Sequence, residues 1–329
     1  MKIVIRVALI LGFGVMILLI VREGVQAIAS LLSRAGWVLF LLVPLHALPQ
    51  LLDAQGWRVL LAGRSRLSVL FFIANIREAV NRLLPVANVG GELVGIRLLA
   101  QRGVDGTTAA ASVIVEVAVT LATQYLFVAS GVVCLLRLTD AIPLRGGLLL
   151  GLCASLLLLA LFIALLRNGA VFGRMERLAE RLLGLDSQVS SVLWQGARLD
   201  AAIRELFAAH GRLMRTLLWQ FAGLIVGCTE TWLALRWLGH PVGFAAAVVL
   251  ESTTQAARHF FFLVPAGLGV QEAGLMGVGH VLGIGQDVAI ALSLAKRMRE
   301  IVFGLPWLAA WHWAERRSGV SDMRGGSEE

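Results

Sequence analysis

Gly146 to Leu166 and Val117 to Leu136 each run about 20 residues without an Asp, Glu, Lys or Arg, the length a helix needs to cross the hydrocarbon core of a bilayer. Ala35 to Leu52 is nearly as long. These runs are rich in Leu and Ala and do not alternate with polar residues, unlike the strands of an outer-membrane barrel. A helix is the remaining solution, because lipid offers no partner to an unpaired backbone group. Composition agrees: of 329 residues, 58% are hydrophobic and 15% charged, and mean hydropathy is +0.82. A soluble domain carries about 25% charged residues.

The net charge of +8 does not indicate nucleic acid. The Arg residues are scattered between apolar spans rather than gathered in a patch with interleaved aromatics, so a positive-inside bias accounts for them better. Cys134, Cys153 and Cys228 are far apart in apolar runs, which suggests packing rather than a disulfide or metal site. The His residues show no ligand spacing, and each is expected to be satisfied or interfacial. No metal or cofactor is expected. Lys2 and Arg6 precede an apolar run, Val7 to Val21, followed by Ala27-Ile28-Ala29; this segment is expected to be an uncleaved first helix rather than a signal peptide.

With the N-terminus placed in the cytoplasm, full helices fall at about 4–21, 36–57, 107–136, 146–166, 216–238 and 287–314, with mixed stretches at about 67–101 and 244–285. The cytoplasmic segments then hold Lys2, Arg6, Arg58, Arg64, Arg66, the Arg-rich 167–215 segment, Arg316, Arg317 and Arg324. The outer segments hold only Arg22, Arg34, Arg137, Arg145 and Arg236, so both termini are expected to be cytoplasmic. Within 167–215, Val171, Met175, Leu178, Leu182 and Leu185 form one amphipathic stripe, and Leu199, Ile203 and Leu206 a second. A pair of interfacial helices is expected there.

The mixed stretches repeat one element. The first reads Asn81-Arg-Leu-Leu-Pro85-Val-Ala-Asn88-Val-Gly90-Gly91-Glu92, and the second Phe262-Leu-Val-Pro265-Ala-Gly267-Leu-Gly269-Val-Gln271-Glu272. A constant offset of 180 residues pairs Pro85 with Pro265, Glu92 with Glu272, Gly103 with Gly283, Asn75 with Gln255 and Glu116 with Lys296. Proline cannot continue a helix without losing a hydrogen bond, and the glycines permit a tight non-helical path. Broken backbone at membrane depth is tolerated only beside a water- or ligand-filled cavity. Three full spans separate the copies, an odd number, so the second copy enters from the opposite face. Inverted repeats with broken helices are typical of alternating-access carriers. The expected fold class is all-α, a polytopic integral membrane protein with about six full transmembrane helices and two re-entrant hairpins in an inverted repeat. It forms a single transmembrane domain over 1–315, with repeat copies at about 67–136 and 247–314 and a short polar cytoplasmic tail at 316–329.

Ionisable groups at membrane depth are functional candidates. Asn75, Glu78 and Arg82 share a face of the first hairpin, and Glu251, Gln255 and Arg258 a face of the second, each set able to form an internal Glu–Arg pair. Lys296, Arg297, Arg299 and Glu300 cluster on the last helix, where Lys296 and Glu300 lie four apart. Glu116 and Glu230 stand alone in apolar surroundings, as relays or as partners of that cluster. The expected substrate path comprises Asn75, Glu78, Arg82, Pro85, Asn88, Gly90, Gly91, Glu92, Gln255, Arg258, Pro265, Gly267, Gly269, Gln271 and Glu272. Glu116, Glu230, Glu251, Lys296, Arg297, Arg299 and Glu300 are expected to relay or pair charge. No nucleophile–base arrangement, P-loop or metal box occurs, so no catalytic residue is assigned.

The stretch from Arg77-Glu78 through Pro85 to Gly90-Gly91-Glu92, the run Gly267-Leu-Gly269-Val-Gln271-Glu272 and the cluster Lys296-Arg297-Met-Arg299-Glu300 resemble the flippase-type membrane domain of lysylphosphatidylglycerol synthases and its stand-alone relatives. So does the segment from Leu48-Pro49-Gln50 to Asp53 and Trp57-Arg58. Within that superfamily the chain is most similar to hopanoid-biosynthesis-associated membrane proteins. The resemblance implies lipid translocation in a bacterial inner membrane, with hopanoids or another polar-headed lipid as cargo. The sequence stops at Glu329, so the soluble aminoacyl-transferase domain of the full synthases, and with it aminoacyl-lipid synthesis, is not expected. Partners are expected to be membrane lipids and proteins of lipid biosynthesis or export. Alternatives are a membrane enzyme acting on a lipid headgroup through residues such as Glu92 and Glu116, or a non-catalytic scaffold docking through 167–215.

Overall fold

A computed structural model describes residues 18, 21–22, 25–84, 90–139, 142–168, 171–174, 196–260 and 269–325. Among these residues there are helices and no strand. In chain order they are α1 (Val25–Ala35), a 3₁₀ segment (Gly36–Leu41), α2 (Leu42–Leu60), α3 (Leu67–Leu83), α4 (Gly90–Gln101), α5 (Gly106–Leu138) and α6 (Ile142–Asn168). They continue with α7 (Gly196–Ala208), α8 (His210–Trp237), α9 (Phe244–Phe260), α10 (Val270–Val281) and α11 (Gln286–Gly325). Among the described residues, four helical runs are long and apolar enough to cross a membrane: Val25–Leu60, Gly106–Leu138, Leu150–Asn168 and His210–Trp237. The protein is an all-α, polytopic membrane protein. Most of the first expected helix, the breaks at Pro85 and Asn88 and at Pro265 and Gly267, and most of the first amphipathic stripe lie outside the described residues.

The helices flanking the two breaks match in length as well as position. α3 and α9 have 17 residues each, and α4 and α10 have 12. α4 starts at residue 90 and α10 at 270; α5 starts at 106 and α11 at 286, all at the sequence offset of 180. The cap repeats too. Gly103 and Gly283 adopt φ of +87° and +74°, a left-handed conformation that glycine takes without a Cβ clash. The next residue folds back in each case: Val104 N–H donates to Leu99 C=O at 3.4 Å, and Ile284 N–H to Gly279 C=O at 2.8 Å. α3 packs on α4 and α9 on α10, so each break joins two helices that touch.

Core clusters orient the two copies. Leu60, at the end of α2, shares a cluster with Ala111 early in α5, Leu166 late in α6, and Ile203 and Phe207 of α7. Leu42, at the start of α2, shares another with Leu235 and Leu238 at the end of α8 and with Ile284 and Val288 at the start of α11. The long helix after the first break therefore starts beside one end of α2, and the long helix after the second break beside the other.

Three features depart from the sequence expectations. Ile203 is fully buried against α5, so α7 packs into the bundle instead of resting only on a membrane surface. The last helix continues through the tail to Gly325, because Ala314-Glu315-Arg316-Arg317 are good helix formers and the first Gly pair comes only at 325–326. Cys153 is exposed on α6, whose Leu157, Leu158 and Leu161 also point outward, and only Cys228 is buried. α2 and α8 approach closely through small residues: an added Cβ on Gly56 would lie 3.2 Å from Thr216 O, and one on Gly223 would lie 3.2 Å from Pro49 O. Thr216 Oγ1 donates to Gly56 C=O at 3.0 Å across the same contact.

Candidate functional site

The interior is built from charge rather than apolar side chains alone. His46, Gln50 and Asp53 follow one another at spacings of 4 and 3 on α2, so a single face of that helix carries a polar stripe inward. Pro49 lies within this stretch and leaves the Leu45 carbonyl without its helical donor. Facing the stripe, α3 contributes Glu78 and Arg82, α8 contributes Gln220 and Glu230, α9 contributes Glu251, Gln255 and Arg258, and α11 contributes Lys296 and Arg299. These groups line a cavity of about 190 Å³. A second cavity, of about 410 Å³, is lined by Arg77, Asn81, Glu92, Glu116 and His259 and shares Gln50, Asp53, Glu78, Arg82 and Arg258 with the first. The two cavities adjoin, with α3 and α9 of the two repeats and α2 contributing to the lining of both.

Each repeat holds its helices together with the same three-way clasp. In the first, Arg77 of α3 donates to Glu92 at the start of α4 and to Glu116 of α5, the latter at 2.6 Å. In the second, Arg258 of α9 donates to Gln271 at the start of α10 and to Glu300 of α11, the latter at 2.7 Å. The side chains of Arg77, Glu116, Arg258 and Glu300 are all at most 9% exposed. A charge in such a place persists only when paired and hydrogen-bonded. The clasps do not obey the 180-residue offset residue by residue, since Arg258 is equivalent to Glu78 and Gln271 to Gly91. Function of the contact, not identity of the residue, is what repeats.

The starts of α4 and α10 are also secured differently. Asn81 Oδ1 accepts from Gly91 N–H at 2.8 Å, while its Nδ2 donates to Glu92 at 3.3 Å. In the second copy Glu272 accepts from Gly269 N–H at 2.8 Å, from Ser293 Oγ at 2.9 Å and from Arg297 Nε at 2.7 Å. Both carboxylates sit in the first turn of a helix, where backbone N–H groups favour negative charge. Glu92 opens onto the larger cavity; Glu272 is 1% exposed and is not among the described residues lining either cavity.

Among the other expected site residues, Asn75 is buried and donates to Phe71 C=O on its own helix at 2.6 Å. Gln271 joins Arg258 and Ser293, and Gly90, Gly91 and Gly269 stand at the starts of α4 and α10. The expected pairing within single helices gives way to pairing between helices. Glu251 and Arg258 are seven residues apart, about 10 Å along the axis, too far for contact. Glu251 instead meets Lys296 and accepts from Thr231 at 2.6 Å, and Arg258 turns to Glu300. Lys296 and Glu300 therefore serve different partners. Glu78 does meet Arg82, at 3.9 Å, but lies closer to His46. Glu116 and Glu230 are not alone: Arg77 holds the first, and Arg299 with His46 the second.

The sequence reading missed His46, Gln50, Asp53, Arg77 and Gln220 as site residues. For the α2 residues the signal was present in their 4-and-3 spacing; for Arg77 it was the motif shared with Glu78. Among the described residues no group of His, Cys, Asp and Glu could hold a metal ion.

Residues 3–307 match the family described as the lysylphosphatidylglycerol synthase TM region. The chain belongs to that family. The match spans both clasps and both cavities, so this family member's polar space is a property of the matched region itself. Neither a curated protein nor a solved structure matches the chain.

Proposed function

We propose that this family member moves the polar head of a lipid across a bacterial inner membrane through the space between its two repeats, without catalysing a reaction. The observation that carries this reading is the pair of adjoining cavities, lined by charged and amide side chains, inside a bundle whose outer surface is apolar. A headgroup cannot enter lipid tails unaided, and a buried polar route replaces its water. The lipid tails remain outside, against surfaces such as the Leu-rich face of α6. The inverted placement of α5 and α11 supports alternating access, with one repeat rocking against the other around a fixed site. Re-entrant hairpins at the two breaks, cytoplasmic termini and a hopanoid or other polar-headed cargo complete the proposal.

Arg82 and Glu92 are the contacts assigned to the headgroup. Arg82 lines both cavities and reaches Glu78 only at 3.9 Å, so it retains donors for a ligand. The test is translocation of a fluorescent phosphatidylglycerol and a fluorescent bacteriohopanepolyol in proteoliposomes. Wild-type protein is expected to accelerate the movement of one of them, and Arg82→Gln and Glu92→Gln to reduce it at least tenfold at equal insertion. Wild-type rates in both variants would sink the assignment. A new lipid product found by mass spectrometry would overturn the non-catalytic reading.

A further inference from the structure

His46 stands at the meeting point of α2, α3, α8 and α11, and its two ring nitrogens face different kinds of partner. Nε2 lies 3.1 Å from both carboxylate oxygens of Glu78, its nearest partners, with the Gln50 amide nitrogen farther off at 3.4 Å. An ionised carboxylate only accepts, so this nitrogen carries a hydrogen. Nδ1 lies 2.9 Å from Glu230 Oε1 and also 2.9 Å from Arg299 Nη1. A guanidinium only donates. Without a proton, Nδ1 accepts from Arg299; with one, it donates to Glu230. The nitrogen has a partner in either state, so a proton can come and go without leaving a buried polar atom unpaired. The edge contact of Phe303, 4.9 Å between ring centres, holds the imidazole in place and offers it no competing acceptor.

We propose that His46 Nδ1 binds the proton whose passage drives lipid movement by this protein. The proposal rests on the transport reading above and supplies its energy source. A proton reaches Nδ1 through the polar space, since the 190 Å³ cavity beside His46 has room for about six waters at ~30 Å³ each. An N–H bond forms at Nδ1 on one side of the membrane and breaks at the same nitrogen toward the other.

The charges around the ring show what protonation changes. On α2 itself the neighbours are Gln50 and Asp53; on α3, Glu78 and Arg82. α8 contributes Glu230, and α5 only the neutral Thr120, Thr123 and Gln124. Glu251 and Lys296 of α9 and α11 neutralise each other, as do Arg258 and Glu300. Arg299 is the group that responds, because it is shared between Glu230 on α8 and Glu300 on its own helix, the latter at 3.6 Å. An imidazolium repels Arg299 and competes for Glu230, shifting the guanidinium toward Glu300. That weakens the tie between α8 and the long helix of the second repeat, the contact that rocking must break.

The experiment has two readouts. The first is nitrogen NMR of histidine-labelled full-length protein in lipid, with His46 assigned by difference against His46→Gln. The expected result is a reversible change of His46 from neutral to doubly protonated as pH falls through the physiological range. In Glu230→Gln, which removes the acceptor for Nδ1–H and leaves Arg299 in place, His46 is expected to stay neutral. A ring that holds one state at every pH in wild type, or titrates unaltered in Glu230→Gln, overturns the proposal. The second readout is the ratio of lipid translocation with and without a pH step across the vesicle, using the two fluorescent lipids named above. A ratio above about threefold in wild type, falling to one in His46→Gln, supports coupling. A wild-type ratio of one, with translocation present, overturns coupling and leaves transport standing. No translocation of either lipid overturns the transport reading and the coupling with it, while the NMR result still decides the proton site.

Discussion

Gly91 shows how much of this structure turns on single atoms. A Cβ built at that position would lie 2.7 Å from the Asn81 side chain and even closer to the Arg77 carbonyl, so the start of α4 rests directly on the backbone of α3. Gly91→Ala is expected to lower stability by about 1–3 kcal/mol, the usual cost of overpacking, read as a fall in the unfolding temperature in detergent. Gly277 in α10 has open space around it, so Gly277→Ala is expected to raise stability by about 0.5–1 kcal/mol through helix propensity alone. Equal effects at the two positions would contradict the close approach. At the start of α5, Asp105 accepts from Thr108 N–H at 2.9 Å, which holds its carboxyl below the ordinary carboxylate range. A lowered folded-state pKa means the cap contributes fully above the ordinary value and is lost as pH falls through the folded one. Amide exchange at Thr107 and Thr108 is therefore expected to rise selectively in acid, relative to the middle of α5, and Asp105→Asn is expected to remove that pH dependence. His46 was legible in principle at this scale, through its spacing to Gln50 and Asp53, but a lone histidine in an apolar span is more often a satisfied group, and only the facing helices reveal its carboxylate neighbours.

At the scale of helices, the sequence carries the boundaries well and the partnerships poorly. The repeated glycines and the first-turn Glu announce where a helix begins or ends by residue type, and the equal starts of α4 and α10 and of α5 and α11 follow the 180-residue offset. Partner choice among buried charges depends on how helices rotate against one another, which no local pattern encodes. That is why Glu116 meets Arg77, Glu230 meets Arg299, and Arg258 passes over Glu251 for Glu300. The clasps yield a direct prediction. Glu300→Leu leaves the buried Arg258 with only the neutral Gln271 and is expected to cost about 3–5 kcal/mol, whereas Arg258→Met, which leaves Glu300 the longer contact to Arg299 at 3.6 Å, is expected to cost less. The double variant removes both charges and is expected to recover most of that loss, measured by thermal unfolding in detergent. If the double variant loses the sum of the two singles, the pair is not an isolated unit and the clasp must be redrawn.

For the whole molecule the decisive property is sidedness. α2 has Leu60 clustered with the start of α5 and the end of α6, and Leu42 clustered with the end of α8 and the start of α11. The loop at Gly63 and the loop at Gly239 therefore belong to opposite ends of the bundle. α5, with 33 residues, is about 50 Å long, well beyond the ~30 Å hydrocarbon core, so the transport proposal places these ends on opposite faces of the membrane. The proposal assigns the Arg-rich segment between α6 and α8 to the cytoplasmic face, because basic residues are preferentially retained there. Reporter fusions after Gly63 are expected to read cytoplasmic, and fusions after Ala141 and Gly239 to read external. A cytoplasmic signal after Ala141 would mean that α5 does not cross, the two repeats would enter from the same face, and alternating access would lose its geometric basis. Matching signals after Gly63 and Gly239 would be more damaging, because they would contradict the antiparallel placement of α5 and α11 on which the polar space between the repeats depends.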